Sequence, residues 1–268
     1  MNWKVYLLVS VIICGGVAAS FFVLSYMGGQ NYPTAIIVDN LAINYRNDTF
    51  VNQVKSLLEE AGFKVEYFDW DSVNLDLYRR LTRYEMIILR VHSHILEGTD
   101  DVCFFTSESI DKVAKYPREW QDYLVDAELP DGRHFIGIKP SFIRELAEGD
   151  FPNSTVIAMG CESLAKESMA DAFIAKGAKV YIGWTYDVTL NYTDTATLKV
   201  LKCLFIENKT ISEAVKGLID PKTYAKLKYY PPEAGNLRIF EFTKKFVETE
   251  EYSFSHWCIC YRRFFRKF

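Results

Sequence analysis

The chain has 268 residues (31.0 kDa), enough for one sizeable α/β domain or two small ones. Hydrophobic residues make up 49% and charged residues 25%, which excludes a wholly disordered chain, and 14 Gly and 8 Pro without a period exclude collagen-like or linker-dominated sequence. A formal net charge of −4 supplies no basic field for nucleic acid, and six Cys are too sparse for a disulfide framework.

Residues 5–27 (VYLLVSVIICGGVAASFFVLSYM) run for 23 positions without a charge. At about 1.5 Å per residue they reach roughly 34 Å, enough to cross a hydrocarbon core of about 30 Å, so the pattern predicts a transmembrane helix. A cleaved signal peptide is the alternative, because Val17-x-Ala19 reads as a small-residue cleavage site, but the apolar run continues past it through FFVLSYM. Trp3 and Tyr26 suit the two interfaces. Lys4 precedes the span, and no Lys or Arg follows in GGQNYPTAIIVDN, which favours a cytoplasmic N-terminus and a main domain outside. Four N-x-S/T sequons, at Asn47, Asn153, Asn191 and Asn208, agree with a glycoprotein exposed on that side; they also fit chance matches on a cytoplasmic domain.

Residues 28–33 read as a linker, and residues 34–253 as one α/β domain. Short apolar runs at 34–38, 86–91, 155–159 and 179–184 have the pattern of buried parallel strands, with further strands at 63–68 and 135–138. Helical spacing recurs at 49–61, 75–83, 140–148, 163–176, 195–207 and 210–219. Strands alternating with helices predict a mainly parallel sheet covered on both faces. Residues 97–134 are the least regular and are expected to form an excursion beside the sheet. The last eleven residues, CICYRRFFRKF, carry four positive charges; setting aside those four and Lys4 leaves −9 for residues 32–257. The tail at 254–268 would either lie on an anionic lipid surface or close the domain.

Functional residues of open α/β sheets gather at the carboxyl ends of strands. One apolar run leads into His92-Ser93-His94, and another into Gly160-Cys161-Glu162-Ser163. A Cys and a His brought together from neighbouring strand ends are the minimal apparatus of thiol catalysis, and a helix beginning near Ser163 would favour a Cys161 thiolate. A metal site on His-x-His lacks a third ligand singled out by spacing, and Cys258-x-Cys260 has no second pair, so no metal is expected. The stretch after the first strand, DNLAINYRND, has no Gly to cradle a nucleotide phosphate, and no cofactor is expected.

The segment TVIAMGCESLAKESMADAFIAKGAKVYIGWTYDV resembles the caspase-like cysteine peptidases, the group that contains caspases, legumains, gingipains and clostripain. Their catalytic His follows one hydrophobic strand and their catalytic Cys the next. Ala-Cys-Glu-Ser or Ala-Cys-Glu-Thr in legumains and bacterial members is close to Gly160-Cys161-Glu162-Ser163. An Ala/Phe-rich helix (Ala170, Phe173), the turn Gly177-Ala178, a strand ending Gly183-Trp184, and Asp187 continue the likeness. The resemblance spans about residues 34–220, with specific motifs at 90–95 and 155–188. It implies a three-layer fold with Cys161 as nucleophile and His94 as general acid/base; His92 competes for that role, but its place nearer the apolar run suits a buried, supporting one. The backbone amides of Cys161 and Ile95 would form the oxyanion hole, although Ile95 stands where the family has Gly. It further implies that Glu162, Trp184 and Asp187 border the pocket for the substrate side chain, Asp187 favouring Arg or Lys at P1. The expectation is a membrane-anchored cysteine endopeptidase acting on peptide or protein substrates. The alternative is an inactive domain of the same fold that displays a peptide- or partner-binding surface at the membrane.

Overall fold

The computed structural model describes residues 32–239. The expected membrane span at 5–27, most of the 28–33 linker, the end of the α/β domain and the tail at 254–268 lie outside the described residues. Among the described residues, no helix is long and apolar enough to cross a membrane. The chain divides into two units between Tyr32 and Pro33, and the second unit contains the α/β domain.

The domain is built on a mixed, mostly parallel sheet. Strand β1 (Thr34–Asp39) shows why the sheet is buried on both faces. Successive side chains of a strand point to opposite sides. Ala35 and Ile37 enter one core and Ile36 and Val38 the other, all fully buried. Helix α1 (Asp48–Glu60) follows, its first turn capped by the Asn47 side chain on the Phe50 amide. It lays Phe50, Val51, Val54, Leu57 and Leu58 against the first core, and Gly62, at φ 91°, provides the left-handed residue that ends it. Strand β2 (Lys64–Asp69) and helix α2 (Leu75–Arg79) lead to β3 (Met86–Arg90), which is buried along its whole length.

The chain then leaves this sheet. Strands β4 (Ser93–Ile95), β5 (Val102–Ser109), β6 (Leu124–Glu128) and β7 (His134–Ile138) form a second, antiparallel sheet in the order β4-β5-β7-β6. The expected excursion at 97–134 is thus regular in structure, and residues 135–138 belong to it and not to the main sheet. Two-sided burial explains the new sheet: Val102 and Phe104 face the second core, whereas Cys103 and Phe105 gather Ala127, Leu129 and Phe135 into a small cluster of their own.

The main sheet resumes with helix α3 (Pro140–Leu146), which has Pro in its first turn, and strand β8 (Thr155–Ala158). Helix α4 (Ser168–Ala175), β9 (Val180–Trp184), α5 (Leu190–Leu201), α6 (Ile211–Val215) and β10 (Leu227–Tyr230) complete it. The strand order is β10-β9-β8-β3-β1-β2, all neighbours parallel except the antiparallel edge strand β10. Helix α4 starts at Ser168 rather than near Ser163, because the intervening residues are held as a turn. The Ser163 hydroxyl bonds the Ala158 carbonyl, and the Leu164 amide bonds Trp184 O. Helix α5 starts five residues before its expected position, at a chain turn fixed by the Thr189 amide and hydroxyl on the Asp220 carboxylate.

Candidate functional site

The chain passes from β1 out to β2 and returns to β3 on the other flank of β1, so the strand order reverses between β1 and β3. Such a reversal opens a crevice at the carboxyl ends of the strands. Asp39-Asn40-Leu41 end β1, Arg90-Val91-His92 end β3, and Met159-Gly160-Cys161 follow β8. A cavity of about 520 Å³ lies there, with both His92 and Cys161 in its wall. Another cavity, of about 400 Å³ near Leu218 and Leu227, is lined by neither Cys nor His.

Close backbone packing sets the position of Cys161. A Cβ on Gly160 would stand 2.2 Å from Ser93 Oγ and 2.4 Å from the Val91 carbonyl, so only glycine lets the β8 loop press against the end of β3. Ser93 Oγ donates to the Cys161 carbonyl at 2.5 Å, and the next amide, of Glu162, donates to Tyr186 O at 3.1 Å. Glu162 itself is left-handed, at φ 55°. Cys161 Sγ–H donates to the Val188 carbonyl at 3.8 Å, and the Cys161 amide has no partner among the described residues. Burial pushes the thiol pKa up, and the nearby Asp187 and Glu162 carboxylates add to that.

His92 is positioned from both sides. Its amide donates to Asn40 Oδ1 and its carbonyl accepts from the Phe105 amide, while Asn40 Nδ2 bonds the Thr106 carbonyl. Its ring tilts against Phe105 with centroids 5.7 Å apart, and Nε2 is buried without a hydrogen-bond partner. Burial lowers the His92 pKa to about 4, helped by Arg133 and Arg90 and opposed by Asp131. Thiol and imidazole are thus both neutral near pH 7, and no hydrogen bond joins Cys161 to either His92 or His94.

Beneath the cavity lies a charged cluster. Arg90, 1% exposed, donates to Asp39 Oδ1 (2.8 Å), to both Asp194 oxygens (2.9 and 3.1 Å) and to the Tyr45 carbonyl (3.0 Å). Asn47 Nδ2 adds a bond to Asp194, and Tyr67 bonds Asp39. Burial works against the Arg90 charge, but the hydrogen bonds to Asp194 and the Asp39 charge more than offset it and its pKa is raised; at Asp39 burial outweighs Arg90 and raises the carboxyl. The amide nitrogen of the Asn47 sequon is therefore part of this cluster.

Several expected site residues lie elsewhere. His94 is not in the cavity wall; its ring packs edge-on to Phe105 at 5.3 Å, and burial lowers its pKa against the opposing Glu162. The Ile95 amide, expected in the oxyanion hole, donates to the Glu162 carboxylate at 3.1 Å, so Glu162 occupies that donor instead of facing substrate. Trp184 is 1% exposed, its indole N–H bonded to the Thr193 hydroxyl, and it forms core rather than pocket wall. Asp187 is exposed and outside the cavity lining. Among the described residues, no three His, Cys, Asp or Glu side chains are arranged to hold a metal. Comparison with protein-family models and with curated proteins finds no match for this chain.

Sequence reasoning missed Arg90, Asp39, Asn40 and Asp194. A signal existed for two of them: each apolar strand run, AIIV and MIIL, ends on a charge, Asp39 and Arg90, in parallel neighbours. Burial of opposite charges at paired strand ends requires mutual satisfaction.

Proposed function

We propose that the domain is a caspase-like cysteine peptidase, carried on a membrane anchor at residues 5–27, with Cys161 as nucleophile and His92, rather than His94, as general base. The observation that carries this reading is the unpartnered, buried His92 Nε2 in the same cavity wall as Cys161. A buried imidazole nitrogen with nothing to bond is costly in a finished core and useful at a reacting proton.

On this reading the thiol turns from the Val188 carbonyl toward His92, which takes its proton as Sγ attacks the peptide carbonyl and then returns it to the leaving amine. Water hydrolyses the thioester. The Cys161 amide is one oxyanion donor. The Ser93 amide is the other: Ser93 faces Phe104 between ladder-bonded pairs, which turns its N–H away from β5. Because both groups start neutral, His92 acts as a base on demand and not as half of a standing ion pair. Alkylation of Cys161 by iodoacetamide is accordingly expected to climb with pH beyond the ordinary thiol range; a rate already at its plateau at pH 6 contradicts the neutral pair.

The thiol bond to Val188 O favours a second reading, an inactive domain that binds a peptide or partner. An electrophilic peptide probe separates the two. Labelling of Cys161 that is lost in His92→Ala and kept in His94→Ala supports the peptidase; the reverse pattern restores His94 as the base. Absence of labelling in folded protein, with labelling after unfolding, supports the binding module.

A further inference from the structure

The cavity beside Cys161 also has a definite chemistry. Its lining is largely apolar: Leu41, Val91, Leu129, Met159, Val188 and Leu190. Apart from His92 Nε2, the Cys161 amide and the exposed Asn44 and Tyr45 side chains, the polar groups along it are already engaged. The Thr189 hydroxyl donates to Asp220 at 2.8 Å, and the Thr193 hydroxyl donates to the Met159 carbonyl at 3.0 Å while accepting from Trp184. The one carboxylate in the lining, Asp131, sits at the exposed rim, where Arg133 holds it through its amide, Nε and Nη2 at 3.1, 2.9 and 2.6 Å. Asp39 and Asp194 are both tied to Arg90, so neither carboxylate is free to meet an incoming charge. A charged side chain entering this space would lose its water and meet no free counter-charge, whereas an apolar one replaces water against apolar walls.

We infer that this cavity is the pocket for the residue on the acyl side of the scissile bond and that it takes an apolar side chain of the Leu, Met or Phe class. The inference rests on the peptidase reading for its link to the scissile bond, and it replaces the basic preference expected from Asp187. Binding energy in such a pocket comes from area, not from a single charge pair, so discrimination among the apolar residues is graded while discrimination against Lys, Arg and Asp is steep.

The test uses the full chain and fluorogenic peptides that differ only at P1. Leu, Met or Phe should exceed Arg, Lys and Asp in kcat/KM by at least about tenfold. Leu190 opens helix α5, where an acidic side chain suits the first turn, so Leu190→Glu should fold and should reverse the ratio toward Arg and Lys. Binding of the same peptides to Cys161→Ala, read by fluorescence anisotropy, separates this inference from the function. Apolar preference in that binding without any hydrolysis by the native protein removes the peptidase reading and leaves the pocket chemistry standing. Hydrolysis with a preference for Arg or Lys that collapses in Asp187→Ala overturns the apolar pocket and leaves the peptidase. Equal binding of all peptides by Cys161→Ala overturns the pocket as well.

Discussion

Two groups of polar side chains lie next to each other at the ends of the same strands, and they differ in one respect. In the Arg90 cluster every charge has a partner: two carboxylates and a backbone carbonyl accept from one guanidinium, and an asparagine and a tyrosine donate to the carboxylates. In the cavity above it, His92 Nε2 and the Cys161 amide have none among the described residues. The first arrangement is what a buried ion cluster needs to be tolerated at all. The second leaves bonding capacity unspent in the wall of an open space. Burial alone does not separate structure from chemistry here, since both groups are buried or nearly so; the tally of partners does.

The largest effect that would break this contrast is expected at Asp194. Asp194→Ala removes a bidentate partner from a fully buried Arg90 and strands the Asn47 amide, and should cost roughly 3–5 kcal/mol in urea unfolding. A loss below about 1 kcal/mol would mean the cluster is solvated and the comparison unsound.

Next comes His92. Its folded pKa of about 4 lies below its ordinary 6.5, so the folded state disfavours the protonated form. The unfolded chain binds the proton first as pH falls, so this contribution to stability is complete above about pH 6.5 and is lost as pH drops toward 4, by roughly 3 kcal/mol in all. His92→Gln should flatten that part of the stability–pH curve. A native curve that matches the variant's between pH 6.5 and 4 would show that His92 is solvated.

Gly160→Ala should be milder for stability, roughly 1–3 kcal/mol, because a Cβ there forces the β8 loop off Ser93 and Val91. It sharpens the comparison through its selectivity: Cys161 labelling should fall while the Arg90 cluster, one layer below, keeps its contribution to thermal stability. A variant that labels as fast as the native protein would show that the close approach does not set the thiol position.

Much of the frame was legible beforehand, for identifiable reasons. Strands β1, β3, β8 and β9 are continuous apolar runs because a parallel sheet buries both faces. The second sheet was not legible: in β5 the apolar stretch VCFFT runs straight into polar SES, and its outward face is covered by Phe135 and Trp70 from distant segments. At the candidate site, two of the strand ends singled out from the sequence wall one cavity, with His92 in that wall and His94 outside it. Alternation correctly places His92 and His94 on one face, since both rings meet Phe105. It does not tell where the chain leaves the main sheet, and that departure after β3 leaves His92, and not His94, in the cavity wall that also holds Cys161. Trp184 illustrates the same limit, because the last residue of a strand can face core or cavity, and its neighbour Thr193 comes from another element.

The peptide unit between Cys161 and Glu162 is gripped at both ends, its carbonyl by Ser93 and its amide by Tyr186. Three stretches of chain far apart in sequence therefore meet on one rigid plane, and the thiol hangs from it. An insertion or deletion of a single residue near 93, 161 or 186 would reach the sulfur as directly as a change beside it. Length, not only composition, is thus under constraint in these three loops.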